Sequence, residues 1–175
     1  MAGDDQAKAA VTNNAQLAVM AAQIIDASRY LVLATADQQG APWVSPLWYA
    51  HAGYREFFWV SDPQARHSQN IGIRPGVSMV IFDSSARPGA ASAVYISGTA
   101  GMVAGPDLER SIEIYSRRSL EQGLPAWTPS SAQAPARHRL YRAVAAEQSV
   151  LQPGGVDVRI PVAVESVAAH RSPDH

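Results

Sequence analysis

The sequence predicts a mainly β domain with flanking helices, organised around an antiparallel sheet that closes on itself. Three observations support this. Strand-like runs of similar length succeed one another from Tyr30 to Val103, separated by short turn clusters, the pattern of an all-β meander. A strongly periodic amphipathic segment follows the strands. The chain of 175 residues, 47% apolar and 17% charged, has the size and composition of one globular domain with a real core. The expected organisation is a mobile N-terminal tail over 1–13, a single domain over 14–164 and a polar C-terminal tail over 165–175.

Asn14 is placed to cap a helix running to about Ser28, with Leu17, Met20 and Ile24 on one face. "YLVLATA" (Tyr30 to Ala36) reads as a first strand, and Gly40 in "DQQGAP" supplies the freedom for a turn. "WVSPLWYAH" (Trp43 to His51) reads as a second strand. Pro46 cannot donate to a ladder, which implies an edge position, a bulge or a ligand alongside. "FFWVS" is the third strand, "VSMVIFDS" the fourth and "AVYISGTAGMV" the fifth, the last two joined by a loop with Pro88 and Gly89.

Gly105-Pro106 then opens a helix. Asp107 and Glu109 suit its N-terminus, Leu108, Ile112 and Tyr115 form its apolar stripe, and Gly123 can end it. "GLPAWTPSSAQAPAR" is a long Pro/Ser/Ala-rich loop of the kind often tied to function. "HRLYRAVAAEQSVLQ" and "VRIPVAV" are two late strands.

Composition removes several functions. The net charge is −1 without a basic stripe, so nucleic acid is not an expected partner. The absence of cysteine excludes disulfides, thiolate nucleophiles and cysteine-held metals. The acidic, Ala-rich N-terminus lacks the pattern of a secretory signal, and no apolar run reaches the ~20 residues of a membrane span. A soluble cytoplasmic protein is the expectation. His, Asp and Glu show no metal-ligand spacing, and no phosphate-loop, dinucleotide-binding or nucleophile-elbow motif occurs. His51, at a strand end, reads as a solvent-facing turn residue, and His138 as either a basic rim or a strand start.

The chemistry concentrates in "FFWVSDPQARHSQNIGIRPG". Ser61 or Asp62 can cap a short helix with Pro63 in its first turn, leaving backbone N–H groups at the end of strand three. Arg66 adds a fork suited to phosphate, Ser61 a hydroxyl and His67 a further donor. The segment is either a phosphate cradle or a capped surface helix. In strand two, Trp48, and in strand three, Trp59, offer flat apolar surface for a ligand, or fill a core or dimer contact.

The succession "YLVLATADQQGAPWVSPLWYAH", "FFWVSDPQARHSQNIGIRPGVSMVIFD" and "AVYISGTAGMV" resembles the split β-barrel of the FMN-binding, pyridoxamine-phosphate-oxidase-like family. The resemblance implies that Val60, Ser61, Arg66 and His67 hold a flavin phosphate, and that Ser45, Pro46, Leu47 and Trp48 lie along the ring. It also implies a homodimer with the cofactor at the interface, to which Trp127 of the long loop is a candidate contributor. His67 stands where the family's oxidase usually has Lys, which ties phosphate affinity to the protonation of the ring. The oxidase's substrate-phosphate motif has no counterpart here, so vitamin B6 phosphate is not the expected substrate.

The expected function is therefore an FMN-dependent oxidoreductase acting on an unknown small molecule. No acid–base residue is evident beyond a hydroxyl such as that of Tyr49. A deazaflavin, its anionic tail served by Arg66, His67 and the run Arg137 to Arg139, is the alternative on the same fold. A barrel that binds flavin or haem without catalysis is the third reading.

Overall fold

The computed structural model describes residues 2–87, 92–152 and 158–164. The elements in chain order are α1 (Ala2–Ala27), β1 (Tyr30–Ala36), β2 (Pro42–Trp48), β3 (Ala50–Ala52), β4 (Glu56–Ser61), α2 (Arg66–Ile73), β5 (Gly76–Phe82), β6 (Ala93–Met102), α3 (Asp107–Glu121), a short 3-10 turn (Pro129–Ala132), β7 (Arg139–Leu151) and β8 (Arg159–Pro161). The strands form one antiparallel sheet in the order β2-β1-β5-β6-β7-β4-β3, with β8 beside β7. This is a split β-barrel, as the strand pattern predicts.

The position of the split follows from the order. The end strands β2 and β3 are consecutive in sequence, separated by Tyr49 alone. The single strand expected from Trp43 to His51 is therefore two strands. The chain leaves one edge of the sheet at Trp48 and joins the opposite edge at Ala50. Tyr49 is fixed at this junction by burial and by donating its hydroxyl to the Ile25 carbonyl at 2.6 Å. Pro46 lies on the edge strand β2, opposite Val32 of β1, one of the positions its missing N–H allows.

Helix α1 begins at Ala2, upstream of the expected cap at Asn14, which lies within the helix. Its buried stripe is Leu17, Ala18, Ala21, Ala22 and Ile25, while Met20 and Ile24 are half-buried at its flank. Small side chains bring the helix close to the sheet. It packs into one core with Leu31, Leu33, Phe57, Trp59 and Ile81. Alternation along β4 turns Phe58 the other way, into a second core with Leu140 and with Leu108, Ile112 and Tyr115 of α3. Phe57, Phe58 and Trp59 are fully buried, each contributing roughly 1.5–3 kcal/mol by burial. Trp59 is thus a core residue and not a ligand platform.

Strand β7 is long enough to pair with β6 and also to carry β4 and β8 in succession. A register shift between Ser97 and Gly98 adjusts β6 to it. Helix α3 has Pro106 as its N-cap, Asp107 and Glu109 in its first turn, and ends before Gly123 at φ 72°. The Pro88–Gly89 loop and the tail over 165–175 lie outside the described residues. Among the described residues no helix is long and apolar enough to cross a membrane.

Candidate functional site

Helix α2 sits across the split. Its expected caps are otherwise engaged, so the helix starts later than Pro63 suggests. Asp62 accepts the Gln64 N–H at 2.9 Å in a local turn and pairs with Arg137 at 2.8 Å, which holds its carboxyl below the usual range. The N-cap is Ala65, in extended conformation, and no side chain caps the helix. An uncapped N-terminus leaves first-turn N–H groups for another acceptor.

His67, the second residue of α2, is buried between two serines. Its Nε2 meets Ser61 Oγ at 2.8 Å and its Nδ1 meets Ser45 Oγ at 3.2 Å. Ser61 ends β4 and Ser45 is in the middle of β2, so the imidazole stitches together the two sides of the split. Burial pushes the His67 pKa below its ordinary value. Burial disfavours the charged form, and in the neutral ring one nitrogen donates and the other accepts. His67 thus connects the two strands through both ring nitrogens.

Arg66 supplies the charge. Its guanidinium lies 4.5 Å from the centre of the Trp43 ring and 3.6 Å from Asp37, with the side chain half exposed. Stacking presents the fork without immobilising all its donors. The far side of α2 is pinned by Asn70 Nδ2 donating to Thr35 Oγ1 at 3.0 Å and by Arg74 donating to the Gln38 carbonyl at 2.8 Å. Arg139 stands opposite Ser61 in the β4–β7 register and donates to the carbonyls of Ala136 and His138. Among the described residues it has no carboxylate partner within salt-bridge distance.

A second group forms beyond the end of β2. Trp48 donates its indole N–H to Gln122 at 2.8 Å and meets Tyr115 edge-on at 4.9 Å. Tyr115 in turn meets Trp127 at 5.6 Å. The structure therefore distributes the predicted residues between two places on one strand. Ser45, Ser61 and His67 are bonded together beside Arg66, and Trp48 and Trp127 share an aromatic cluster through Tyr115. Val60 is half-buried with its backbone bonded to Tyr115, Leu47 is half-buried on the first core, and Pro46 is exposed on the edge.

Two sequence expectations are corrected. His51 does not face solvent: it packs on Tyr54 at 4.9 Å and bonds Asp26 at 3.1 Å, and burial lowers its pKa. The Tyr49 hydroxyl is buried and its pKa raised by desolvation, so it is not a proton donor for a bound molecule. The sequence reading missed Trp43, Tyr115 and Gln122 as site residues, since their roles depend on contacts between distant segments. Among the described residues no cluster of His, Asp and Glu could hold a metal ion.

The sequence matches the family described as pyridoxamine 5'-phosphate oxidase over residues 17–150. No match is found among curated proteins. Of solved structures, a haem-binding protein from Mycobacterium smegmatis superposes with a TM-score of 0.63 at 19% identity, covering 83% of this chain and 57% of the other. The chain thus spans little more than half of that protein. The haem storage protein HutZ from Vibrio cholerae gives 0.59 at 23% identity, covering 76% and 92%. A Clostridium acetobutylicum protein of the pyridoxine phosphate oxidase family gives 0.60 at 11% identity, covering 87% and 97%. At these identities the structures share the fold.

Proposed function

The chain belongs to the pyridoxamine 5'-phosphate oxidase family, and on that premise we propose that it binds FMN at the split and acts as a homodimeric flavin-dependent oxidoreductase. The observation that carries this reading is the Ser45–His67–Ser61 stitch beneath an uncapped helix, with the Arg66 fork beside it. This donor set fits a phosphate monoester. It combines a serine hydroxyl, backbone N–H groups and a guanidinium that is only loosely paired.

Arg66 and Ser61, with the first turn of α2, would hold the phosphate. Arg139 would add positive charge across the strand. Ser45, Pro46, Leu47 and Trp48 would orient the ring along the edge of β2, which among the described residues has no strand on its outer side. Trp127 would close the far end. When bound, FMN supplies hydride or single-electron transfer at its ring.

The substrate is not expected to be a B6 phosphate. Arg142 pairs with Glu56 and Asp107, and Arg110 pairs with Glu56. Neither is left as a free second phosphate site.

Titrating one preparation with FMN, a deazaflavin and hemin tests the reading. FMN should quench saturably and raise the melting temperature, since a ligand at 100 times its Kd adds about 2.7 kcal/mol to the native state. Arg66→Ala should weaken FMN by roughly tenfold or more, the loss of one charge-assisted contact. Absence of both quenching and thermal shift with FMN would sink the proposal. Preferential stabilisation by deazaflavin, or a Soret band with hemin and no response to FMN, would move the reading to those cofactors.

A further inference from the structure

The aromatic cluster at the end of β2 lines an open cavity of about 450 Å³ between Tyr30, Trp48, Tyr115 and the segment Leu124 to Trp127. We propose that this cavity is a binding site for a neutral, planar aromatic molecule of about two fused rings. The volume lies in the range of small-molecule sites, about 300–1,000 Å³.

Its chemistry selects the ligand class. None of the lining residues carries a charge. Several of their polar groups are already used by the protein: Trp48 Nε1 donates to Gln122, Ser119 Oγ to the Pro125 carbonyl at 2.7 Å and Ser131 Oγ to the Thr128 carbonyl at 2.7 Å, while the Tyr115 hydroxyl accepts from the Val60 backbone. An ionic ligand would lose hydration here and find no counter-charge. A flat apolar one would meet the rings of Trp48, Tyr115 and Trp127, which stand edge-to-face in succession.

The cavity is also preformed. The segment after α3 is fastened to that helix by Leu124 N–H on the Ser119 carbonyl at 2.9 Å and by Trp127 N–H on Ser116 Oγ at 2.8 Å. Little ordering remains for a ligand to induce. Trp48 and Trp127 belong both to this cavity and to the residues assigned to the flavin ring. The cavity is therefore the place of the oxidoreductase's substrate, an assignment of role that rests on the flavin reading, whereas binding itself does not.

Calorimetric titration of the full chain with 2-naphthol and with naphthalene-2-sulfonate tests the inference, because the two share a ring system and differ in charge. The neutral compound should bind at least about tenfold tighter than the sulfonate. Leu124→Glu, a change at a residue 45% exposed, should weaken 2-naphthol about tenfold and leave FMN affinity within about twofold. Trp127→Ala should also weaken 2-naphthol. The inference is overturned if 2-naphthol does not bind, if the sulfonate binds as tightly, or if neither variant changes its affinity. Binding of 2-naphthol by protein that fails to bind FMN supports the cavity assignment and overturns only the flavin reading.

Discussion

At the scale of single residues, His67 carries the most consequence. Its ring is buried between Ser45 and Ser61, and burial lowers its folded pKa below that of the unfolded chain. The unfolded state therefore takes up a proton first as pH falls. Stability is level above the unfolded value of about 6.5 and declines as pH drops through it towards the folded pKa. His51 is shifted in the same direction by its own burial. The melting temperature of the wild type should consequently fall between pH 7.5 and 5.5. His67→Gln should show a shallower fall, with the His51 contribution remaining, and a wild-type-like slope in that variant would remove His67 from the explanation. The variant should also lose about 1 kcal/mol at pH 7.5 from the bridging bonds. Ser61, Arg66 and His67 were legible because they lie within a few residues of one another. Ser45 was legible only through the family resemblance, since its bond to His67 spans 22 positions and two strands that meet only when the sheet curves. Asp62 shows the converse. Its local sequence suits a helix cap, but Arg137 captures the carboxylate.

At the scale of elements, alternation and turn residues located the strands well, because a half-buried strand has a period that sequence displays directly. Tyr30–Ala36 alternates in burial in this way, whereas β4, buried on both faces, is placed by its aromatic and β-branched composition. The break at Tyr49 follows from neither, since the residues on both sides of it favour strand equally. The break arises from where the two halves find partners. The buried stripe of α1 was misplaced for a related reason: alanines make the closest contacts, and they carry little hydrophobic signal. Gly98 is an element-scale feature with a measurable role. At the register shift of β6, a Cβ on Gly98 would collide with the Val144 carbonyl oxygen. Gly98→Ala should destabilise the protein by about 1–3 kcal/mol through forced separation of β6 and β7. Urea denaturation checks this, and an unchanged midpoint would mean that the two strands can separate locally at little cost.

At the scale of the whole molecule, the open edge connects assembly with cofactor binding. On β2, Val44 and Pro46 point away from the buried Ser45 and are exposed, and Val44 is 56% accessible. Tyr30 and Phe82, on the neighbouring strands β1 and β5, are exposed as well. A homodimer that covered this edge would complete each flavin site with residues from the second protomer. Dilution below the dimer's Kd should then weaken FMN, because dimerisation and binding are linked. Val44→Arg places a charge on the exposed edge without touching either core. It should shift the protein to monomer in sedimentation velocity and weaken FMN by roughly tenfold or more, the cost of burying an unpaired charge in an interface. The far-ultraviolet circular dichroism should stay unchanged. A dimeric Val44→Arg protein with normal FMN affinity would place the interface elsewhere. A monomeric variant that still binds FMN normally would show that one chain suffices for the site, which would confine the cofactor's contacts to the α2 end of the split.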